Sequence, residues 1–529
     1  MLRRLSLLLF ILSLAAASCR PTGGTPPPPV PTPSLPPGRP SPEPEADLTR
    51  ADVVVDATTV LGTVNPLNGV QGGPLPIVRG DADLTAHFQA AGVDHVRLPQ
   101  DTIPNNLTLG GIFPNPGADP DDPAAYDFSR IDRFVGAIVE AGIDPLWEAT
   151  YDIGRTDSLD GGDRGLQKGV YPRNPEKWAK VIKNTLMHFN DGWAAGHRWG
   201  VTYVEFINEP FGLGGCERTE EGAERCWDLY QTFAAALHEY EAETGRDIQI
   251  VGPAEPLGIE RLEDSLSRLR LLLDRIQPED MDYLSIHPYG GDTPEEKLAF
   301  AQAARDLLDT YHPDGKDFSG VGLWASEWQT GGMREGMEHS ARVGAFNTAV
   351  KILWQGLVDR STLYRADRWP QGPDGTAGPD GQVDCADVTN CIESVYFTPE
   401  GAPKPAYFPW LALAEMAQRT PQRLAVSEDL PDIYVMASRS NDGNRLSLLI
   451  SRPDIMGVSE RGALALTIRV DGVEPSASYT MHLYRINAET TSWEPENVSQ
   501  VVADGQGSLF IALSQNTDTV LYLRLERAP

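Results

Sequence analysis

Past its first twenty residues the chain has no apolar run close to the roughly 18 residues that cross a bilayer, so nothing in its body reads as a membrane span. Positive charge is scarce: 44 Lys and Arg stand against 75 Asp and Glu, a net charge of −31 over 529 residues. Such a field repels phosphate backbones and argues against nucleic-acid partners, and it makes acidic polymers poor substrates. Cysteine is rare, five in all; the spacings are not those of zinc knuckles and no histidines cluster beside them. No Gly-rich dinucleotide fingerprint follows any apolar run, which weighs against an open, doubly wound nucleotide-binding sheet. What remains is a chain 41% hydrophobic and 22% charged, the composition of a packed globular protein long enough for two or three domains.

The first segment reads as an address. Arg3 and Arg4 precede the apolar run Leu5 to Leu14, small residues Ala15 to Ser18 follow, and Cys19 comes next, the order of an export signal over residues 1–18. Small residues directly before a cysteine resemble the lipobox of bacterial lipoproteins. That resemblance implies lipidation of Cys19 and anchoring at the cell surface or periplasmic face. Ala16 stands where such boxes favour Leu, so ordinary secretion is the alternative. The remaining cysteines fall into two close pairs, Cys216 with Cys226 and Cys385 with Cys391. That grouping suits two local disulfides in an oxidising compartment, with other pairings and free thiols left open. Residues 19–47 are dominated by Pro, Gly, Ser and Thr, including Pro26 to Pro29, and read as a semi-rigid linker.

From 48 to 418 one theme repeats: a short β-branched or apolar run, a polar loop, an amphipathic helix. Candidate strands begin near Asn68 to Gln71 and continue at His95–Leu98, Pro145–Ala149, Tyr203–Ile207, Ile248–Gly252, Tyr283–His287, Leu323–Ser326 and Ser361–Tyr364. Helical periods run over Phe128–Ala141, Pro175–Asn190, Trp227–Thr244, Arg261–Ile276, Glu295–Tyr311 and Ser340–Val358. Eight such units over roughly 360 residues predict an α/β fold, a (β/α)8 TIM barrel. From 419 to 529 the texture changes to short alternating runs between turn clusters such as Asn441-Asp442-Gly443-Asn444. These predict an accessory antiparallel β-sandwich, to which an extended stretch at 51–57 could add a strand.

Active sites of such barrels lie at the C-terminal ends of the strands. Two of those ends carry glutamates, in Val204-Glu205-Phe206-Ile207-Asn208-Glu209-Pro210 and Leu323-Trp324-Ala325-Ser326-Glu327-Trp328. Counting strands puts Glu209 after the fourth and Glu327 after the seventh, facing each other across the mouth. Glycoside hydrolysis needs that pair: one carboxyl protonates the leaving oxygen while the other attacks the anomeric carbon, and a separation of about 5 Å allows a covalent intermediate. Asn208 is placed to hold a sugar 2-hydroxyl. A single glutamate at a strand end is more often a salt-bridge partner; two at these two ends argue for catalysis.

Asn208-Glu209-Pro210 with Ser326-Glu327-Trp328 resembles the clan A glycoside hydrolases. The ordered set His95-Val96-Arg97, Tyr126-Asp127-Phe128, Asp144-Pro145-Leu146-Trp147-Glu148, Val251-Gly252-Pro253-Ala254, Ser285-Ile286-His287-Pro288-Tyr289 and Lys404-Pro405-Ala406-Tyr407 is similar to family 39, which includes β-xylosidases and α-L-iduronidases. The resemblance spans the whole barrel and the trailing sandwich. It implies that Glu209 is the acid/base and Glu327 the nucleophile, with Asn208, His287 and Tyr289 shaping the sugar subsite. Tyr289 can donate to Glu327 and keep it ionised. Arg97 is expected to orient the nucleophile by charge-assisted hydrogen bonds, a structural ion pair with Glu148 being the other reading.

Two departures bear on the substrate. The second strand runs on as Leu98-Pro99-Gln100, where family members often have a histidine on the sugar, so that contact is missing or replaced by Gln100. After His287 come Pro288 and Tyr289, with no lysine to meet a uronic acid carboxylate. With the negative charge, both point to a neutral oligo- or polysaccharide and no required cofactor. Trp147, Tyr151, Trp324 and Tyr364 read first as core; Trp328 and Trp369 are the better stacking platforms. Setting Gly381 at the turn of an EF-hand-like loop brings Asp380, Asp384 and Asp387 to ligand positions. Thr376 and Gly378 then stand where acids belong, so bound Ca2+ competes with a solvated acidic loop. The expected activity is that of a retaining, β-xylosidase-like glycosidase. The rivals are an endo-acting clan A glycanase and a surface glycan-binding lipoprotein without turnover.

Overall fold

The computed structural model describes residues 51–98, 107–149, 172, 174–211, 216–258, 261–330, 340–370, 391–428, 430–454 and 462–528. The first long strand, β1 (Val53–Thr63), leads into eight short ones: β2 (Gly69–Gln71), β3 (His95–Leu98), β4 (Asp144–Glu148), β5 (Tyr203–Glu205), β6 (Gln249–Gly258), β7 (Tyr283–Gly290), β8 (Gly322–Trp328) and β9 (Arg360–Leu363). β2 through β9 pair in parallel and close on themselves as a barrel. Their runs are buried almost throughout, as expected of strands covered by helices outside and filled by side chains inside. Leu146, Val251 and Trp324 fill the interior with Tyr203 and Tyr283 against them.

The helices carry their own punctuation. Pro175–Asp191 starts behind Asn174, whose side chain accepts from the Lys177 N–H at 3.0 Å, and stops at Gly192 with φ of 81°. Pro294–Thr310 opens on a capping box between Thr293 and Glu296. Glu220–Thr244 begins seven residues before the apolar period becomes readable, because its first turns are polar and capped by Thr219.

A two-residue pair, β10 (Trp369–Pro370) with β11 (Cys391–Ile392), follows the barrel. The rest is one nine-stranded sheet built from β12 (Gln422–Glu428), β13 (Tyr434–Arg439), β14 (Arg445–Arg452), β15 (Leu464–Asp471), β16 (Ser478–Ile486), β17 (Asn497–Val502), β18 (Ser508–Gln515), β19 (Thr519–Arg527) and the distant β1. β1 lies between β12, antiparallel, and β15, parallel. Backbone pairing thus gives 53–63 to the sheet, in keeping with the strand that 51–57 could add to it, and the barrel begins at β2. The sheet sits on helix Ser340–Leu353. Ser451 Oγ donates to the Ala345 carbonyl at 2.6 Å, and Arg342 pairs with Asp454 at 3.1 Å and Asp518 at 3.3 Å. Met436, Leu449, Tyr484 and Tyr522 join the barrel's apolar core, so barrel and sheet share buried surface.

Candidate active site

Five strand ends supply one hydrogen-bonded cluster at the barrel mouth. Gln71 and Arg97 stand opposite each other on β2 and β3, and Glu148 and Glu205 on β4 and β5. Arg97 is wholly buried and forks among them: Nε donates to Glu205 Oε2 at 2.5 Å, Nη2 to Asn208 Oδ1 at 2.8 Å with Glu148 Oε2 3.0 Å away, and Nη1 to Glu327 Oε2 at 2.8 Å and Gln71 Oε1 at 3.2 Å. Burial by itself lowers the guanidinium pKa, but the charges of Glu205, Glu148 and Glu327 hold it well above its ordinary value. The described hydrogen bonds of Arg97 all go to side chains of this cluster, which makes it a positioning residue for Glu327. Both readings of its role hold at once, since it pairs with Glu148 and also with the Glu327 carboxylate.

Glu327 sits near the end of β8. Its register with β9 shifts between Ala325 and Trp328, a bulge of the kind that re-aims side chains beside active sites. Ser326 Oγ then lies 3.2 Å from His287 Nε2 while the adjacent Glu327 reaches Arg97. Tyr289 Oη donates to Glu327 Oε1 at 2.7 Å. Burial and the Glu327 charge push the Tyr289 hydroxyl well above its ordinary pKa, so it stays a donor. The same bulge turns Trp328 away from the mouth. It is fully buried, donates from Nε1 to Ser361 Oγ at 2.7 Å and packs edge-on against Trp354. The expectation that Trp328 offers its face to a sugar is corrected accordingly.

Glu209 lies in the loop after β5, with a left-handed φ of 41°, strain of a sort that persists where the surroundings over-determine the backbone. His287 Nδ1 lies 3.1 Å from Glu209 Oε1, and the Glu209 side chain keeps 18% of its surface exposed. Phe211, just beyond, is held under the Arg268 guanidinium at 4.8 Å and by Arg218 Nε on its carbonyl at 2.8 Å. Arg268 is anchored in turn on the buried Glu255, whose carboxyl pKa burial raises. The Cys216–Cys226 disulfide closes this loop onto helix Glu220–Thr244. A carboxylate oxygen of Glu209, one of Glu327 and a ring nitrogen of His287 lie within 4.8 Å of one another.

Trp369 pairs through its backbone with Ile392. Gln100, Tyr151, Cys19, Cys385 and the acidic loop holding Asp380, Asp384 and Asp387 lie outside the described residues. Trp147 and Trp324 are buried, and Tyr364 is buried against Tyr289. Gln71, Glu205, Glu255 and Arg268 had no role assigned from sequence. A charged residue inside the apolar run Val204-Glu205-Phe206 is the signal that was there to find Glu205.

No family model and no curated protein matches the chain. Solved structures do match. A glucosidase from Croceicoccus marinus superposes with a TM-score of 0.64 at 21% identity, covering 90% of this chain and 99% of that one. The GH39 enzyme from Xanthomonas axonopodis pv. citri gives 0.62 at 16%, with 90% and 97% covered. A monomeric β-xylosidase from Caulobacter crescentus gives 0.61 at 16%, with 90% and 99% covered. At these identities the likeness establishes the fold: a closed (β/α)8 barrel carrying a mostly antiparallel sheet.

Proposed function

We propose that the chain is a retaining glycoside hydrolase acting on a neutral glycan by double displacement. The observation that carries this is the approach of the Glu209 and Glu327 carboxylates to within 4.8 Å. Retaining enzymes hold their carboxyls about 5–5.5 Å apart, whereas inverting ones leave about 6.5–9.5 Å for a water. Surroundings divide the roles. Glu327 accepts from Arg97 and Tyr289, donors that hold it in place to attack; Glu209, beside one imidazole and partly exposed, is free to meet the leaving group. In the first step Glu327 bonds to the anomeric carbon as the glycosidic C–O bond breaks, and Glu209 delivers its proton to the departing oxygen. In the second, Glu209 takes a proton from water, whose oxygen displaces Glu327 and restores the starting configuration.

The clan A neighbours support glycoside hydrolysis, and the β-xylosidase among them makes a xyloside the first substrate to try. A neutral sugar is favoured because Arg97 is committed to three carboxylates and the nearby Lys297 to the Pro288 and Tyr289 carbonyls. Proton NMR of the first-formed product on an aryl glycoside panel tests the proposal. Retention is expected, with activity abolished in Glu327→Ala; an inverted first product sinks the mechanism. Export and lipidation at Cys19 are proposed on the order of charges, apolar run and small residues before it. Membrane fractionation of the parent and of Cys19→Ser tests that, with release of the variant expected.

A further inference from the structure

A second convergence of donors lies away from the barrel mouth. Asp132 is in the first turn of helix Ser129–Glu140, His188 in the last turn of Pro175–Asp191, and His197 in the segment leading to β5. His188 Nε2 stands 2.9 Å from Asp132 Oδ1 and His197 Nε2 3.2 Å from Asp132 Oδ2. One donor from each residue falls within 4.8 Å of the others. None of the three touches the Glu209 and Glu327 cluster.

We propose that Asp132, His188 and His197 bind a zinc ion. Around a tetrahedral ion with bonds of about 2.0–2.2 Å, neighbouring ligand atoms stand about 3.3–3.5 Å apart; the observed spacings need only small adjustment to admit one. The rings are held as ligating imidazoles are. His188 Nδ1 lies 3.0 Å from the Trp193 carbonyl, the outer-shell bond that fixes a ligand tautomer. Its ring lies flat on Phe128 at 3.6 Å, and that of His197 on Trp199 at 3.7 Å.

His188 Nε2 and His197 Nε2 converge on the two oxygens of one carboxylate, so a single divalent ion between them would be shared by all three residues. Two nitrogens and a carboxylate suit zinc better than Ca2+ or Mg2+, which prefer oxygen. Asp132 and His197 also line a cavity of about 660 Å3 with Asp83, Arg133, Glu140 and Trp199. That leaves a route in from solvent for the ion.

The test uses the full chain without a histidine tag, treated with chelator, desalted and titrated with ZnCl2 alone. Elemental analysis is expected to return one tightly held zinc per chain, with a thermal midpoint raised by a few degrees and lowered again by EDTA. His197→Gln and Asp132→Asn are expected to fold by circular dichroism, to hydrolyse glycosides as the parent does, and to lose both the zinc and the thermal response. Substoichiometric zinc in the parent, with a midpoint indifferent to zinc and chelator, overturns the proposal in favour of a metal-free ion-paired triad. So does zinc bound equally by both variants.

Discussion

Arg97 Nη1 meets Glu327 Oε2 at 2.8 Å, on the carboxylate oxygen that Tyr289 does not occupy. The same guanidinium holds Glu148 and Glu205, none of the three groups having more than 5% of its side chain exposed. Removing one partner of a buried ion pair costs about 3–5 kcal/mol because the remaining charge is left uncompensated. Arg97→Lys keeps the charge but loses the planar fork. It is expected to lower the urea midpoint strongly and kcat by about 100-fold or more, two decades being about 2.7 kcal/mol. A variant with parental stability and kcat shows that the cluster does not organise Glu327.

Tyr289→Phe removes one hydrogen bond to an ionised acceptor and little volume. Such bonds contribute about 1.5–3 kcal/mol, so kcat should fall roughly 10- to 100-fold. Since Tyr289 touches the attacking carboxylate, kcat rather than KM should carry the loss. Steady-state kinetics on one aryl glycoside decide it: a change confined to KM assigns Tyr289 to sugar binding alone.

The eight barrel strands were legible because buried parallel strands are short apolar runs between polar loops, and helix caps such as Asn174 and Thr293 announce themselves. In the sheet, β12 and β17 leave little signal in the sequence: β12 buries only Leu424, and four of the six residues of β17 are exposed with none buried. At the site, Glu209 and Glu327 were readable from their places at strand ends. Trp328 was misjudged because a bulge decides which of three consecutive residues faces the mouth. Strict alternation from the inward Trp324 would have sent Glu327 out and Trp328 in. Asp132 and His188 are 56 residues apart and meet only through helix packing, which no local pattern encodes.

Lys351 is fully buried, with Nζ donating to Asn68 Oδ1 at 2.7 Å above the Trp410 ring, and burial lowers its pKa to about 7. In the unfolded chain it titrates near 10.5. Between these values the unfolded state binds more protons, so this group makes stability rise with pH from about 7 to about 10.5. Lys351→Met should remove that slope, which is on the order of a kcal/mol per pH unit. Urea unfolding at pH 7.5 and 9.5 measures it. A parent-to-variant difference that stays constant with pH means that Lys351 remains charged when buried.

The Cys216–Cys226 bond closes a short loop just beyond Glu209, and the Cys216 N–H bonds the Pro210 carbonyl at 2.8 Å. Disulfides of this kind contribute about 2–4 kcal/mol. Cys226→Ser should therefore lower the thermal midpoint and also loosen the loop that aims Glu209. The activity loss should be larger for substrates whose leaving group needs the proton. Equal losses for good and poor leaving groups, or none, separate the disulfide from the acid.

The two carboxylates can be told apart by what replaces them. Glu209→Ala takes away the proton but leaves the nucleophile, so an aryl glycoside with a very acidic phenol should still form the glycosyl-enzyme, while one with a weakly acidic phenol should react about 100- to 10,000-fold more slowly, the usual range of acid catalysis. Azide added to this variant can enter the space left beside the anomeric carbon without needing a base, and it should give a glycosyl azide of retained configuration. In Glu327→Ala the nucleophile is missing and azide must take its place on the opposite face, so the product azide should be inverted. NMR of the two azides reads both assignments at once. If the configurations come out exchanged, Glu209 and Glu327 have each other's roles, and the contacts of Arg97 and Tyr289 with Glu327 must then be holding the acid rather than the nucleophile.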